Sequence, residues 1–195
     1  MPAALCENRT KSALDRALRQ LLEQKPLDQI RVREVTELCA IRRQSFYYHF
    51  PDVYALFEWS LQQERESLLV RQENYFTWQQ ALADLLDHTA QYRSYYQALL
   101  ESRGRAGFRN MLGPVLENLL KNPLDYYQRR CGTSRDAAME QTQLDCWETL
   151  LLALLESWVQ NELQQQPDQI LTLMESTIHQ GAVGAAWQNL PLQTC

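Results

Sequence analysis

Residues Ile30–Leu56 read IRVREVTELCAIRRQSFYYHFPDVYAL, and this stretch decides the fold. Apolar residues recur at helical spacing on both sides of the short connection Cys39–Ile41, which predicts one helix at about Val32–Cys39 and a second at Arg42–His49. Pro51 then breaks the second helix. Two short helices joined by a tight turn are what a helix-turn-helix needs to lay its second helix in the major groove of DNA.

The rest of the chain is also predicted to be helical. Thr10 is a suitable N-cap for a first helix that runs to about Gln24 and ends before Pro26. No segment shows the alternation of a strand, so the predicted fold class is all-α, with a three-helix head at residues 1–60 and a helical bundle at residues 61–195. The other helices are predicted at Val53 to about Val70 and near 76–100, 106–121, 123–130, 136–163 and 167–187.

Composition and charge exclude several classes of protein. The 195 residues are 45% hydrophobic and 22% charged, which is ordinary for a folded globular protein. Residues 1–60 hold 9 Lys+Arg against 8 Asp+Glu, whereas residues 61–195 hold 10 against 16. Only the N-terminal part is therefore expected to approach phosphate easily.

The sequence carries no sign of a membrane segment or of a disulfide framework. The longest apolar run, Leu150–Leu155, is far shorter than the roughly 20 residues of a membrane helix, and the N-terminus lacks a signal-peptide pattern. The five cysteines are an odd number without a CxxC pair. We therefore expect a cytoplasmic protein with reduced thiols and no membrane partner.

No constellation predicts catalysis, a metal or a cofactor. His88, His179 and Cys146 lack the local spacing of metal ligands, so we expect no metal site. The chain has neither a Gly-rich phosphate loop nor a nucleophile elbow. We expect a protein that is not an enzyme and that needs no cofactor.

The predicted recognition helix has two chemically different faces. Phe46 and Phe50 are one turn apart and should anchor the inner face, while Arg43, Gln44 and Tyr47 fall on the outer face. Arg can pair with guanine and Gln with adenine, and hydroxyl groups can reach phosphates. A solvated polar face is the alternative, because periodicity alone does not distinguish the two.

At the level of motifs, Ile30–Leu56 closely resembles the signature of the bacterial TetR family of transcriptional regulators. The aromatic and histidine run Phe46–Phe50 at the end of the recognition helix is the most specific part of that resemblance. The resemblance implies a set of DNA-contacting residues on the second and third helices, to which we add Arg42 as a phosphate contact: Arg33, Arg42, Arg43, Gln44, Ser45, Tyr47 and His49.

Three positions depart from the family pattern. Ala40 replaces the usual turn glycine, Arg42 replaces the usual Ser or Thr cap, and Val53 stands where many members have a phosphate-contacting lysine. An alanine in the turn can still be compatible with the helix-turn-helix, and Arg42 can recover phosphate attraction lost at Val53. These departures bear on operator sequence and affinity more than on the fold.

Apolar residues surround the predicted helix from Leu144 to Val159, so it needs burial on more than one side. An isologous dimer contact can supply the second side, although a wholly intramolecular core is the alternative. The stretch from Glu148 to Ile178 resembles the C-terminal end of dihydroxyacetone-operon regulators within the family. Similarity to the family implies a four-helix homodimer interface formed by Trp147, Leu151, Leu155, Trp158, Leu171, Met174 and Ile178.

Aromatic residues gather in the second domain, where they could line an effector pocket between helices. An ordinary core with tyrosine hydroxyls at its edges explains them equally well. The residues predicted for the pocket are Trp78, Tyr92, Tyr96, Phe108, Tyr127 and Trp147.

The resemblance implies a sequence-specific regulator, expected to be a repressor, which binds operator DNA as a homodimer. A small-molecule effector is expected to change the separation of the two heads, with the fourth helix as the lever. The alternative is a helical protein-interaction adaptor that keeps the fold but not the DNA binding. Repressors and activators share the same DNA-binding unit, so the position of the operator sets the sign of regulation.

Overall fold

The computed structural model describes the backbone of residues 2–75, 77–131, 137–160 and 165–187, and the side chains of residues 9–75, 77–121, 138, 141–160 and 165–178. In this part of the chain every regular element is helical, which confirms the all-α fold class. The elements are α1 (Pro2–Leu22), a 3-10 turn (Leu27–Gln29), α2 (Val32–Leu38), α3 (Arg43–His49), α4 (Val53–Gln72), α5 (Trp78–Gln91), α6 (Arg93–Cys131), α7 (Ala137–Val159) and α8 (Pro167–Trp187).

The helices of the head agree with the sequence prediction except at one end. Helices α2 and α3 begin and end within one residue of the predicted bounds, and α4 begins at Val53 as predicted. Helix α1, however, begins at Pro2 and not after Thr10. The prediction was wrong because Thr10 suits a cap but nothing before it breaks a helix, and proline is well tolerated at a first helical position.

Two boundaries in the body were also predicted wrongly. The segment 76–100 is two helices, because the backbone leaves the helical conformation at Tyr92, with φ −109° and ψ 33°. The segments 106–121 and 123–130 are one helix that continues through Pro114 and Pro123. A proline inside a helix removes one hydrogen bond, and packing against neighbouring helices can offset that loss. The one non-helical residue within α6 is Gly104, with φ 63° and ψ −168°.

Helix α4 joins the head to the body. It packs on α1 in the head and on α5 and α6 in the body. Val53, Leu56 and Phe57 are buried at the head end, and Leu68 is buried at the body end. Helix α7 lies along α6, and α8 packs on α5 and α6. The predicted division at residues 60 and 61 thus falls inside a single helix with one continuous core.

The described residues bear on the expectations about membrane-spanning helices, metal sites and cysteines. None of the helices in this part of the chain is long and apolar enough to cross a membrane. The described side chains also bring together no group of three or more His, Cys, Asp or Glu that could hold a metal ion. Cys39 and Cys146 are free thiols, and His179 lies outside the described side chains.

Candidate nucleic-acid interface

The turn between α2 and α3 is closed by backbone hydrogen bonds. The Ile41 N–H donates to the Thr36 carbonyl at 3.0 Å, and the Ala40 N–H donates to the Glu37 carbonyl at 3.2 Å. Ala40 itself has φ 53°, in the left-handed region that favours glycine. The alanine therefore keeps the backbone conformation of a turn glycine, and the helix-turn-helix geometry survives this departure from the family pattern.

Aromatic packing fixes α3 against the head. Phe46 is 0% exposed and Phe50 is 5% exposed, as predicted for the inner face. Their ring centroids lie 6.1 Å apart, and the Phe50 ring lies 5.8 Å from that of Trp59 on α4. Helix α3 has seven residues and no side-chain N-cap, so this packing must supply most of its stability.

The outer face of α3 is presented to solvent. Arg43, Gln44 and Ser45 are exposed, and Tyr47 is 57% exposed. The exposed guanidinium groups of Arg42 and Arg43 form no ion pair with any described carboxylate. Two free guanidinium groups beside amide and hydroxyl groups form a surface that can meet both phosphates and base edges.

Two of the predicted DNA contacts, Arg33 and His49, are restrained by neighbouring side chains. Arg33 is exposed but pairs with Glu37 one turn along α2, with 2.6 Å between Nε and Oε1. The hydrogen bond from Arg33 to Glu37 and the negative charge of Glu37 raise the pKa of Arg33. His49 is half-buried, packs edge-on against Tyr48 at 5.0 Å, and has an enclosed Nδ1 without a partner among the described residues. Only the other ring nitrogen of His49 could face a ligand.

A buried ion-pair network connects the head to the body. Arg19 on α1 donates from Nε to Asp15 at 3.0 Å and from Nη2 to Glu64 on α4 at 2.7 Å. The Arg19 guanidinium lies 4.2 Å from the ring centroid of Tyr95 on α6. Its side chain is 16% exposed, and that of Glu64 is 8% exposed. A largely desolvated pair of this kind is costly to break from one side.

The same network reaches α5. His88 Nε2 lies 2.5 Å from Glu64 Oε1, with both side chains nearly inaccessible to solvent. Ser60 donates to Asp15, and its hydroxyl lies 2.9 Å from the Tyr95 hydroxyl. These contacts join α1, α4, α5 and α6 through polar groups.

Burial and pairing act in opposite directions on the charges of the network. Burial alone would raise the pKa of Glu64, but the close approach of His88 and the charge of Arg19 hold that pKa below its usual value. Burial likewise opposes the charge of Arg19, yet Tyr95, Asp15 and Glu64 together raise the Arg19 pKa. The ionised pair is therefore the stable form at neutral pH.

A cleft of about 490 Å³ opens between α4 and α6, on the other side of α4 from this network. Its floor is apolar and its rim is polar. The floor residues Leu61, Leu99 and Met111 are buried. The remaining lining residues are Glu58, Trp59, Gln62, Arg65, Arg103, Gly107 and Asn110.

A model of the C-terminal region of TetR-type transcriptional regulators matches residues 77–180, which is more than half of the chain. The chain belongs to the TetR family of transcriptional regulators. A curated relative is the HTH-type dhaKLM operon transcriptional activator DhaS of Lactococcus lactis subsp. lactis strain IL1403, which is 27% identical over 90 residues. That match covers 46% of this chain and 48% of the relative, so the chain spans about half the length of the curated relative it matches.

Solved structures share the fold of this TetR-family chain. A dihydroxyacetone kinase operon activator, DhaS, has a TM-score of 0.74 at 18% identity and covers 89% of this chain and 96% of its own. RolR in complex with resorcinol has a TM-score of 0.55 at 20% identity, with 98% of both chains covered. A TetR regulator from Rhodococcus sp. RHA1 has a TM-score of 0.52 at 15% identity, with 94% of this chain and 99% of its own covered. The resemblance to dihydroxyacetone-operon regulators is confirmed by the relative and by the fold.

The predicted effector residues do not line the cleft of this TetR-family chain. Trp78, Tyr96, Phe108 and Trp147 are at most 7% exposed and belong to the hydrophobic core. Tyr92 lines only a recess of about 10 Å³ beside Arg19, and the side chain of Tyr127 lies outside the described residues. Local spacing in the sequence does not reveal the cleft, because its walls come from helical turns about 45 residues apart, as in the Arg103 contact with Glu58.

The predicted dimer residues are largely buried within one chain. The buried residues are Trp147, Leu151, Leu155, Trp158, Met174 and Ile178, and Leu171 is half-buried. Among the described residues of these two helices, the large apolar side chains that are exposed are Leu150 and Leu173, at 37% and 49%. Ala153 is also exposed and Leu154 is half-buried, so an apolar stripe on α7 continues from Leu150 by helical spacing.

Sequence reasoning also missed two exposed tyrosines of the head. Tyr48 is 79% exposed beside the predicted contact Tyr47, and Tyr54 at the start of α4 is 50% exposed. The signal for Tyr48 was present in the sequence, because it lies within the aromatic run between two inward phenylalanines. Tyr54 gave no such signal, since its exposure depends on how α4 leaves the head.

Proposed function

We propose that this protein is a cytoplasmic, homodimeric regulator of transcription that binds operator DNA through α3 and carries out no catalysis. The observation that supports this most directly is the division of α3 into two faces. Phe46 and Phe50 are buried against the head, while Arg43, Gln44 and Tyr47 are exposed. A recognition helix needs this arrangement, with an immobile inner side and a polar outer side.

The residues of the proposed surface have different tasks. Arg43 and Gln44 suit base edges because each can make a bidentate contact in the major groove. Ser45, Tyr47 and Arg42 suit phosphates, which fix the position of the head without reading the sequence. Arg33 would exchange its intrahelical pair with Glu37 for a phosphate, and His49 would contribute through its accessible ring nitrogen.

A homodimer is proposed because one head reads only one half-site. Two heads must meet successive major grooves, about 34 Å apart along the duplex. The apolar stripe of Leu150, Ala153 and Leu154 on α7 and the exposed Leu173 on α8 are apolar side chains that a second copy would cover. The buried residues first predicted for the interface would then support this surface from beneath.

A small-molecule effector is proposed to change the affinity for DNA through α4, since this helix packs on both the head and the body. RolR, which shares the fold, has been solved with resorcinol. We expect the sign of regulation to follow from operator position. Repression is our expectation for an operator that overlaps a promoter, although the curated relative is an activator by name.

The experiment is fluorescence anisotropy with labelled genomic fragments and the full-length protein at several salt concentrations. Arg43→Ala should relax base preference by about 1 to 3 kcal/mol per lost bidentate contact. Tyr47→Phe should weaken binding to all sequences by a similar factor. Arg105→Ala is the matched control, because Arg105 is exposed on α6 and pairs with Glu156 in the body.

The proposal fails if folded Arg43→Ala and Tyr47→Ala dimers bind DNA like the wild type while Arg105→Ala does not. A wild-type protein that binds none of the fragments at low salt, but captures a protein ligand through Arg43, would support the adaptor alternative instead. Circular dichroism of each variant separates loss of contact from loss of fold.

A further inference from the structure

We propose that the cleft between α4 and α6 binds a small aromatic carboxylate, held at its anionic end by Arg65 and stacked on Trp59. This assignment deepens the proposed function, because it names a site and a ligand class for the effector. It also differs from the aromatic group predicted from the sequence, whose described members lie in the core, except for Tyr92, which lines a separate recess.

The size and floor of the cleft suit a flat organic molecule. Its volume of about 490 Å³ falls within the range of small-molecule sites. Trp59 is half-buried, so one part of its indole ring is held by the protein while the rest lines the cleft. Met111 and Leu99 provide apolar floor, and a thioether packs well against an aromatic ring. A planar apolar body would bury surface on all three side chains.

The charge of the cleft selects an anion. Glu58 and Arg103 line the cleft together and neutralise each other in an ion pair. Arg65 is the remaining charged lining residue, is partly buried, and forms no ion pair with a described carboxylate. One positive charge is therefore left over the apolar floor, where Gln62 and Asn110 can add hydrogen bonds. A guanidinium matches a carboxylate with two parallel hydrogen bonds.

A chain of aromatic rings links the cleft to the recognition helix. Trp59 lies 5.8 Å from Phe50, which caps the C-terminal end of α3. Phe50 in turn lies 6.1 Å from Phe46, the buried anchor of α3. A ligand stacked on Trp59 would therefore change the packing of Phe50, which holds α3. This effect would not need to pass through the rest of the body.

The test uses the full-length wild-type protein without DNA. Isothermal titration calorimetry compares 2-naphthoate with the uncharged 2-naphthamide, which has the same ring system. We expect naphthoate to bind at least about 10-fold more tightly, because only the carboxylate can form the charge-assisted pair. Arg65→Gln should remove that preference and leave naphthamide binding unchanged. Arg105→Gln, outside the cleft on α6, should bind both compounds like the wild type.

The location is checked by the indole ¹⁵N–H resonance of Trp59, assigned by its loss in Trp59→Phe. Naphthoate should shift this resonance in the wild type. The site is refuted if neither compound binds at millimolar concentration, if Arg65→Gln keeps the preference for naphthoate, or if the Trp59 resonance does not move. A protein that binds naphthoate through Arg65 but binds no DNA would support the site and refute the proposed function.

Discussion

At Ala40 a side chain occupies a backbone conformation that favours glycine. Its φ of 53° places the Cβ close to the following carbonyl oxygen, which costs about 1 to 2 kcal/mol for a residue other than glycine. The turn is nevertheless closed by the hydrogen bonds from Ala40 and Ile41. The packing of α2 and α3 therefore determines the conformation of this alanine, and the head loses some stability in return.

We expect Ala40→Gly to raise the free energy of unfolding by about 1 kcal/mol, because relief of strain exceeds the extra entropy of glycine in the unfolded chain. Ala40→Val should lower it, since a β-branched residue is still less compatible with a positive φ. Urea denaturation at neutral pH measures both changes in the free energy of unfolding. If glycine at this position lowers stability as valine does, the left-handed conformation is not the one present in solution.

At the same scale, sequence spacing predicted the two faces of α3 but not the state of each side chain. The i, i+4 relation of Phe46 and Phe50 was enough to place them inward, and both are buried. The half-buried ring of His49 was not foreseen, since it depends on its packing against Tyr48. Periodicity gives the direction of a side chain, whereas its accessibility depends on what lies beside it.

At the scale of elements, the boundaries that were predicted correctly carry local signals. Pro51 separates α3 from α4, and Asp52 caps α4 by accepting a hydrogen bond from the Ala55 N–H at 2.8 Å. The boundary at Tyr92 has no proline or glycine to mark it. Conversely, Pro123 marks no boundary, although the sequence predicted one there, because α6 continues through it. Tertiary packing decided both cases against the local pattern.

The ion-pair network that joins α1, α4, α5 and α6 leads to a prediction about stability in acid. In the folded protein the pKa of Glu64 lies below the usual value of a glutamate, despite burial, because His88 and Arg19 stabilise its charge. A carboxyl with a depressed folded pKa contributes stability that is fully present above its unfolded pKa. That contribution is lost as the pH falls through the folded pKa.

We expect Glu64→Gln to lower the free energy of unfolding at pH 7 by about 3 kcal/mol, because Arg19 keeps only one of its two carboxylate partners. The difference from the wild type should shrink as the pH falls from the unfolded pKa of glutamate, about 4.3, through the lower folded pKa of Glu64. Glu66→Gln is the control, since Glu66 is exposed on the same helix. Denaturant unfolding from pH 3 to 7 measures both. If the wild type and Glu64→Gln lose stability in parallel as the pH falls, the ion pair of Glu64 with Arg19 contributes nothing to stability.

At the scale of the whole molecule, the cleft and the ion-pair network are formed by residues that are distant in sequence. Ser60 and Asp15 are 45 residues apart, and so are Arg103 and Glu58. Each of these residues taken alone resembles part of a solvated helix face, so nothing in the sequence distinguishes it. The apolar circumference of α7 did predict burial on more than one side, but it could not separate the side that faces α6 from the side left exposed.

The exposed side of α7 and α8 leads to the prediction for the assembly. Leu150→Glu combined with Leu173→Glu should give a folded monomer, because both side chains are partly exposed in the single chain and lose only the contact with a second copy. Leu151→Glu should instead unfold the chain, since Leu151 is 0% exposed. Val70→Glu is the matched control, because Val70 is 60% exposed on α4, away from α7 and α8.

Sedimentation velocity at micromolar concentration and circular dichroism measure the mass and the fold of each variant. Operator affinity should fall steeply for the folded monomer, because the second head then binds as an independent molecule instead of being held near its half-site. Val70→Glu should sediment as a dimer and bind the operator like the wild type. A wild type that sediments as a folded monomer, or a Leu150→Glu, Leu173→Glu variant that remains dimeric, would place the interface on another surface.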